Sequence, residues 1–533
     1  MPNALWDVAA NSPLRKNRCT GTAAGSGPHG LPRLKTNLKH EGDMMICNVR
    51  TFTLTVTVLF AAILVPMVAT AANPDVADAG GPPMQCILFF DDWMLQARQG
   101  LDRVQGKPVL ASTVSPELPQ HLSRLALADA ATSLHFDERS GRYAMYVDCW
   151  TAAPERQRFS ARVESDDPRK WPDLLGARAV KTLQLSGKNV VVDESGKPLY
   201  RFVITPLAGT PLADRGYVGI FEQRIGFSPD GKQFQIVPMG PWIAHTDEPG
   251  FGVVYDPWRK RHVIFDRIYG VDRRVGRVFT TDFKSFSRPE IALQPDAQDP
   301  ICREFYGMSP VRYEDMFIGC LWVFDTEPTE KRMLKMQGSI GTQLTYSYDG
   351  DHWYRAFRGQ RLFAAPAGGM IYVGKPVRTH DDRLIFAAMG ADETHRDVGE
   401  EEGSARRLHF FELRLDGYSY LKTRAQRGFI RTKALVPAGD ALKLNVRTNR
   451  SGYVKVQVLD ARTFEPIPHY TLDDAIAISG DHLFAEAQWR ERNNLAELKG
   501  RPVVLEVHVR EGELYALRIP HKAFYTGWLG HRL

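Results

Sequence analysis

The sequence lacks the features that would point to a cofactor or to nucleic acid. Its 533 residues include six cysteines, and no Cys-x-x-Cys or His-x-His cluster indicates a metal site. The formal net charge is +6, of which residues 1–71 contribute +4. The remainder of the chain is therefore close to neutral, which gives no reason to expect nucleic acid as a partner. We expect neither a metal nor an organic cofactor.

The one long apolar run lies near the beginning of the chain. It follows Met44, Met45 and Arg50, covers residues 52–68 and ends in Ala-Thr-Ala. A basic start, a short apolar centre and a small-x-small end predict a secretory signal peptide over residues 44–71; a membrane anchor is the alternative. We expect export to the periplasm or the medium, with no stable membrane insertion after cleavage. Residues 1–43 are predicted to be disordered or to follow from a start codon assigned too early.

Four cysteines remain after the predicted cleavage: Cys86, Cys149, Cys302 and Cys320. Export permits disulfides, because the compartments outside the cytoplasm are oxidising. Four cysteines allow three pairings, and the sequence does not choose among them. Free buried thiols are equally compatible with the sequence.

A motif of the form Asp-x-x-x-aromatic occurs five times, at intervals of 63, 52, 67 and 67 residues. Three of the five copies contain Asp-Gly, a hairpin-turn dipeptide in which glycine accepts a positive φ and aspartate bonds its own backbone. The aromatic residue is predicted to anchor the returning strand. The five pairs are Asp167/Trp171, Asp230/Phe234, Asp282/Phe286, Asp349/Trp353 and Asp416/Tyr420.

A second hairpin precedes each of these motifs. Its polar tip is flanked by alternating apolar runs rich in Val, Ile, Tyr and Phe, which is typical of strands. Two hairpins make four strands per repeat, and five four-stranded repeats predict an all-β, five-bladed β-propeller over residues 84–425. The predicted tips are Asp137, Asp193, Asp256, Glu314 and Asp381.

The regions around the repeats have separate interpretations. Residues 86–95 read as a strand that completes the last blade and closes the ring, which would leave no open edge. Residues 428–533 lack the repeat motif but contain several strand patterns, so they predict a C-terminal β-sandwich. The charged insertion 391–406 is predicted to be a surface loop, or less readily a lid over the mouth of the propeller.

Carboxylates occupy matching positions in three repeats, eight to ten residues before the first-hairpin tip. They are Asp129, Asp247 and Glu304. The innermost strands of a propeller start at a central funnel, so these side chains are predicted to converge there. Glycosidic bond cleavage needs such a set: an acid to protonate the leaving oxygen, a base or nucleophile, and a further charge that keeps the acid protonated.

The chain resembles the five-bladed propeller glycoside hydrolases of the family 32 and family 43 type. The resemblance rests on the repeats, the SPDG and SYDGDHW turns, the spaced acids and the trailing β domain. A second resemblance, in the runs EFYGM and RRVGRVFTTD, is to uncharacterised exported propeller proteins of bacteria. The first implies Asp129 as base or nucleophile, Asp247 as the residue that orients and tunes the acid, and Glu304 as the acid. The motifs Asn-Asp-Pro and Arg-Asp-Pro of the family 32 type are absent.

Further residues are candidates for substrate binding: Arg274, Arg277, Tyr306 and Trp242. Arginine matches a uronate or a sulfated sugar bidentately, and the aromatic rings suit stacking on sugar faces. The sequence therefore predicts an exported glycoside hydrolase that acts on a poly- or oligosaccharide. The alternative is a propeller that binds glycans without cleaving them.

Overall fold

The computed structural model describes residues 84–201, 203–221, 224–237, 246–268, 272–326, 337–364, 369–395 and 406–523. The predicted signal peptide (44–71), the segment 1–43 and Trp242 lie outside these residues. The described part has 31 strands and two short α-helices, so the predicted all-β class is confirmed. None of its helices is long and apolar enough to cross a membrane.

Four strands precede the repeats: β1 (Met84–Leu88), β2 (Leu95–Gln99), β3 (Leu101–Gln105) and β4 (Val109–Val114). The first repeat contains β5 (Leu122–Ala126), α1 (Leu127–Ser133), β6 (His135–Asp137), β7 (Arg142–Thr151) and β8 (Arg158–Ser165). Strand β7 pairs with β8 on one side and with both β5 and β6 on the other, so α1 interrupts the first strand of this sheet. The small side chains of Ala130 and Ala131, both fully buried, let α1 pack closely.

The second and third repeats are antiparallel four-stranded sheets. After α2 (Gly176–Thr182) and β9 (Val192–Asp193), the second repeat comprises β10 (Val203–Pro206), β11 (Tyr217–Phe221), β12 (Arg224–Ser228) and β13 (Gln233–Val237), with β9 beside β13. The third comprises β14 (Thr246–Asp256), β15 (Arg261–Ile268), β16 (Arg274–Thr280) and β17 (Glu290–Leu293). The first hairpin of the second repeat turns between β10 and β11. The predicted tip Asp193 is therefore wrong, because it caps a separate tight turn after β9.

The fourth and fifth repeats are joined in one sheet by a short parallel contact between Ile340 and Met370. The fourth comprises β18 (Arg303–Tyr313), β19 (Met316–Thr326), β20 (Gly338–Ser347) and β21 (Tyr354–Arg355). The fifth comprises β22 (Met370–Val373), β23 (Val377–Arg378), β24 (Arg383–Ala391) and β25 (Arg407–Arg414).

The outer strand of the fifth repeat comes from a segment that precedes all the repeats in the sequence. Strand β4 pairs with β25, from Val114 opposite Leu408 to Val109 opposite Glu412. The strand that completes this sheet is thus β4, and the prediction that residues 86–95 do so is wrong. Strand β1, which contains the first of those residues, pairs instead with the last strand among the described residues.

The C-terminal strands form a nine-stranded sheet together with β1, β2 and β3. They are β26 (Ser419–Thr423), β27 (Arg427–Thr432), β28 (Leu435–Pro437), β29 (Lys443–Asp460), β30 (Asp481–Glu486) and β31 (Val503–Ala523). The long strands β29 and β31 pair along most of their length. The pairing places β1–β3 and β26 in this sheet, although the sequence grouped them with the repeats.

Each repeat shares a hydrophobic core with the next one. Tyr146, Phe221 and Phe234 lie between the first and second repeats, Val203 and Ile264 between the second and third, and Phe265 and Phe305 between the third and fourth. Ile318 and Phe386 lie between the fourth and fifth repeats. The fifth repeat in turn packs on the first, where the Trp171 and Phe410 rings stack with centroids 6.2 Å apart.

The repeated Asp-x-x-x-aromatic motif forms the turn that the sequence predicts. Asp230 Oδ1, for example, accepts hydrogen bonds from the backbone N–H groups of Lys232 and Gln233, at 2.9 and 3.1 Å. The same pattern recurs at Asp282 and Asp349. The aromatic partners Phe234 and Trp353 are buried, as expected for anchors of a returning strand, whereas Phe286 and Tyr420 are half-buried. Trp171 is buried too, but a 3-10 helix follows it, so the predicted fourth strand of the first repeat is wrong. We call the turns of the repeated motif the signature turns.

The two ends of each repeat sheet differ in chemistry. We call the end at which the first strand begins and the second strand ends the leading end. The other end, where the first hairpin turns, is the turn end. The predicted tips Asp137, Asp256, Glu314 and Asp381 all lie at the turn end.

Candidate functional site

The leading ends of the third, fourth and fifth repeats meet around Tyr306 on β18. Glu304, two residues earlier on the same strand, accepts a hydrogen bond from Arg273 Nη1 at 2.6 Å and is 6 % exposed. Arg273 directly precedes β16, and its carbonyl accepts a hydrogen bond from the Phe305 N–H at 3.0 Å. The third repeat therefore holds its arginine against the fourth by both backbone and side chain.

The neighbouring Arg303 turns away from Glu304. Its Nε donates to Asp325 at 2.8 Å, and its Nη1 lies 3.3 Å from Asp299. Adjacent residues of a strand point to opposite faces of the sheet, which separates the two side chains. The pairing of Glu304 with Arg273 was not predicted from the sequence.

Tyr306 is surrounded by cations and aromatic rings. The guanidinium carbons of Arg267 and Arg273 lie 4.9 and 5.4 Å from the centroid of its ring. Its hydroxyl is 3.0 Å from His395 Nε2, and its ring centroid is 5.7 Å from that of Tyr372 on β22. Such a combination of rings, guanidinium groups and hydroxyls is suited to binding a polar ligand with some apolar surface, such as a sugar.

The leading end of the first repeat has a second aromatic and cationic group. The Trp150 ring lies 4.9 Å from the guanidinium of Arg124 and 4.7 Å from that of Arg158. Arg158 also lies 4.4 Å from the Tyr200 ring and forms a 2.7 Å ion pair with the fully buried Asp148. Arg158 is thus held in place, whereas Arg124 is exposed to solvent.

Asp266 is the carboxyl group with the most unusual environment in the described part of the chain. It lies on β15, two residues before its leading end, and is fully buried. Neither of its side-chain oxygens has a hydrogen-bond partner among the described residues. Burial raises the pKa of Asp266 to about 7, since desolvation disfavours the charged form.

The sequence-predicted site residues are distributed over several elements. Asp129 lies in α1, which packs against β22 and β24, and so occupies a helix instead of the expected strand. Asp247 lies on β14, and its side chain is outside the described residues, as is Trp242. Glu304 and Tyr306 lie together on β18 at the leading end. The roles assigned to Asp129, Asp247 and Glu304 stay predictions.

Arg274 and Arg277 lie on β16, the third strand of its sheet. Arg274 pairs with Asp272 at 2.6 Å and donates to Gln294 at 2.8 Å. Arg277 donates to the carbonyl of Asp351 in the next signature turn, at 2.5 Å. Both side chains are engaged in contacts within and between repeats, so their predicted role in sugar binding has no support from these partners.

Sequence reasoning missed Arg267, Arg273, Tyr372 and His395. The spacing before the first-hairpin tips selected only carboxylates, so it passed over Tyr372, which lies on a first strand nine residues before Asp381 but is not acidic. Arg267 lies one residue before the end of a second strand, Arg273 directly precedes a third, and His395 follows β24 near the start of the charged insertion. The available signal was the run RIYGVDRR between β15 and β16, which brings a cluster of arginines to the leading end.

No group of three potential metal ligands occurs in the part of the chain that the structure describes. The cysteines among these residues form no disulfide, and Cys86, Cys149 and Cys320 are buried. Burial raises the pKa of the Cys320 thiol to about 12, which makes it a poor nucleophile.

Comparisons with known proteins give weak similarities. No family model and no curated protein matches the chain. An α-L-arabinofuranosidase from Podospora anserina, solved with cellotriose, is 10 % identical with a TM-score of 0.39 over 58 % of this chain and 97 % of that one. A Bombyx mori GH32 β-fructofuranosidase is 10 % identical with a TM-score of 0.33, over 78 % and 94 %. An α-L-arabinanase from Penicillium chrysogenum with arabinobiose is 11 % identical with a TM-score of 0.32, over 62 % and 94 %. Likenesses this weak carry no information on the site or the reaction of this chain.

Proposed function

We propose that the five repeats form a five-bladed propeller with a central funnel at its leading ends, followed by a C-terminal β-sandwich. The shared cores support this arrangement, because each repeat packs on the next and the fifth packs on the first. Strand β4 then completes the fifth blade as its fourth strand.

We further propose that the protein is an exported glycoside hydrolase that acts on a poly- or oligosaccharide. The observation that carries the proposal is the group at the start of β18, where the Arg273–Glu304 ion pair adjoins the Tyr306 ring. The half-buried ring of Tyr306 offers an apolar face, and Glu304 offers a carboxylate beside it. In this mechanism, Glu304 acts as the acid, Asp129 as the base or nucleophile and Asp247 as the tuning residue.

One observation favours the alternative, a propeller that binds glycans without cleaving them. Glu304 is in direct contact with a guanidinium group, which is the arrangement of an ionised carboxylate. A general acid must carry a proton when the substrate is bound. In the hydrolase, the substrate has to draw Arg273 away from Glu304; in the binding protein, the ion pair persists and holds hydroxyl groups of the glycan.

A screen of the secreted protein on plant and algal polysaccharides, followed by variants, separates the two. In the hydrolase, Glu304→Gln lowers kcat by about 10²- to 10⁴-fold and leaves glycan binding largely intact. Asp129→Asn and Asp247→Asn lower kcat as well. The control is Glu138→Gln, an exposed acid at the turn end, which leaves kcat unchanged. A glycan that is bound by the wild type but never cleaved would establish the alternative.

The export itself is part of the proposal and has its own test. The pattern over residues 44–71 predicts that the mature chain starts near Ala72. Sequencing the N-terminus of the secreted protein measures this directly. A secreted chain that began at Met1 would contradict the signal peptide without affecting the proposed activity.

A further inference from the structure

Arg406 lies in a partly buried position without a paired charge among the described residues. It directly precedes β25, whose first residue pairs with Gly390 at the end of β24, so it lies at the leading end of the fifth repeat. Its side chain is half-buried, and its Nε is buried without a hydrogen-bond partner. Arg406 also makes no ion pair with any described residue. A guanidinium removed from water without a counter-charge costs free energy.

The charged group that acts most strongly on Arg406 is another arginine. Arg124 lies on β5 opposite Trp150, at the leading end of the first repeat, and the first repeat packs against the fifth. Burial lowers the pKa of Arg406, and the positive charge of Arg124 lowers it further. Arg124 has a Trp150 contact at 4.9 Å but no ion pair within the described ranges.

Two other groups face Arg406, and both act in the opposite direction. Tyr372 and Glu393 raise the pKa of Arg406, each by less than Arg124 lowers it. Glu393 forms no ion pair with Arg406, and its Oε2 is buried without a partner among the described residues. Tyr372 connects this region to Tyr306, because their ring centroids are 5.7 Å apart. The two arginines thus border the proposed funnel, and Glu393 is the one carboxylate among the described residues that acts on Arg406.

We propose that Arg124 and Arg406 form a subsite for an anionic group of the sugar chain, either the carboxylate of a uronic acid or a sulfate ester. The proposal rests on the proposed function and adds the substrate class. A guanidinium group presents its donors in a planar fork that matches both anions, and an anion between two arginines would relieve their repulsion. The partly exposed Trp150 ring beside Arg124 offers a face for the sugar ring itself.

The first test compares each charged polysaccharide with its own neutral form. The probes are polygalacturonate and the same polymer after methyl esterification, and a sulfated galactan before and after desulfation. Calorimetric titration of the secreted protein should show at least about 10-fold tighter binding to the charged member of one pair. That binding should weaken between about 50 and about 500 mM NaCl, because salt screens charge interactions. The pair that responds distinguishes a carboxylate ligand from a sulfate ligand.

The second test removes each arginine separately. Arg124→Gln and Arg406→Gln should each weaken binding of the charged polymer by about 10- to 100-fold and leave binding of its neutral form unchanged. Arg406→Lys should restore part of the loss, since it restores the charge without the fork. Arg312→Gln is the matched control, an exposed arginine at the turn end of β18 without an ion pair among the described residues. Thermal unfolding of each variant checks that the fold is kept.

The results separate this inference from the proposed function. If a neutral glycan is cleaved in a Glu304-dependent manner and neither charged pair is preferred, the anionic subsite is wrong and the hydrolase proposal stands. Equal binding of the charged polymer by the wild type and by both glutamine variants would also overturn the subsite. If the protein binds none of the polysaccharides, both proposals fail.

Discussion

The two ends of the repeat sheets differ in how their charges are compensated. At the turn end, arginines of one repeat bind the signature turn of the next repeat. Arg162 donates to the carbonyl of Asp230 at 3.0 Å, and Arg261 pairs with Asp351 at 2.6 Å. At the leading end, Arg273 pairs with Glu304 across two repeats, but Arg124 and Arg406 have no ion pair with described residues, and neither oxygen of Asp266 has a hydrogen-bond partner among them.

We infer from this difference that the turn end contributes more to stability and that the leading end is available for a ligand. Charges that are paired across two repeats hold adjacent sheets together, and removing one partner leaves the other buried and alone. Charges without partners cost stability, and proteins keep such groups mostly where they bind or react. We therefore expect substitutions at the turn end to lower the free energy of unfolding, and substitutions at the leading end to change ligand binding.

The largest effect is expected from Arg162→Met at the turn end. The guanidinium of Arg162 pairs with Asp137, and both side chains are buried. Burial raises the pKa of Asp137, but the hydrogen bond and charge of Arg162 outweigh it and hold the pKa at about 2. Removing Arg162 leaves a buried carboxylate, so the free energy of unfolding at pH 7 should fall by about 3–5 kcal/mol.

Denaturant unfolding measures this loss, with Arg139→Met in the same turn as the control. Arg139 is exposed, and only its backbone N–H bonds Asp137. A loss for Arg162→Met no larger than that of the control would show that the turn end does not carry the stability assigned to it.

Asp266→Asn should remove a pH dependence of stability that originates near the leading end. The pKa of Asp266 is about 7 in the folded protein and about 3.9 in an unfolded chain. Because the unfolded chain loses this proton first, wild-type stability should fall as pH rises from about 4 to about 7, by at most about 4 kcal/mol. Asparagine has no proton to lose, so its curve should be flatter in this window.

Unfolding curves at several pH values compare the stability of the wild type with that of Asp266→Asn. Asp214→Asn, at an exposed position, is the control. The control should keep the wild-type pH dependence. If Asp266→Asn kept it as well, Asp266 would be ionised in the folded protein and would have a counter-charge. The leading end would then resemble the turn end.

Gly231→Ala tests the close contacts of a signature turn. Gly231 has φ +73°, and a Cβ atom there would lie 2.4 Å from Tyr146 Oη and 2.7 Å from Arg162 Nη1. The matched control is Gly196→Ala, which has φ +82° and open space around the Cβ position. Both variants carry the strain of a positive φ, about 1–2 kcal/mol.

Gly231→Ala should therefore cost about 1–3 kcal/mol more than Gly196→Ala, as expected for overpacking. Thermal unfolding of the two variants gives the difference. Equal losses would mean that the contact between the first and second repeats adjusts without cost.

Tyr306→Phe should have the smallest effect on stability. The change removes the hydroxyl near His395 Nε2 and keeps the ring. We expect a loss of about 1 kcal/mol or less in unfolding free energy. Binding of the glycan found in the screen should weaken about 10-fold if the hydroxyl contacts it. A large loss of stability with unchanged binding would mean that Tyr306 is a structural residue.

The repeat pattern predicted much of the fold because it acts locally. The Asp-x-x-x-aromatic spacing encodes a turn whose hydrogen bonds lie within four residues, as at Asp230 and Asp349. Four of the five first-hairpin tips were also predicted correctly. The exception, Asp193, has the composition of a hairpin tip but belongs to a separate turn.

The parts that could not be predicted depend on contacts between distant segments. The ion pair of Glu304 joins residues 31 positions apart on two different repeats, and spacing within one repeat contains no information about it. The helix α1 replaces the expected strand because its alanines fill a space between two repeats. Strand β4 pairs with β25, although nothing in residues 109–114 identifies that partner.

The pairing of β4 with β25 also determines when during synthesis β4 can pair with its partner strand. Thr113 and His409, which are 2.9 Å apart in the folded protein, are separated by 296 residues. At about 5–20 residues per second, β4 leaves the ribosome about 15–60 s before its partner exists. During this interval the growing chain carries an unpaired strand with apolar residues at Val109 and Leu110. Such a strand can pair with strands that are not its native partners. Strand β4 therefore stays without its partner strand until the fifth repeat has been synthesised.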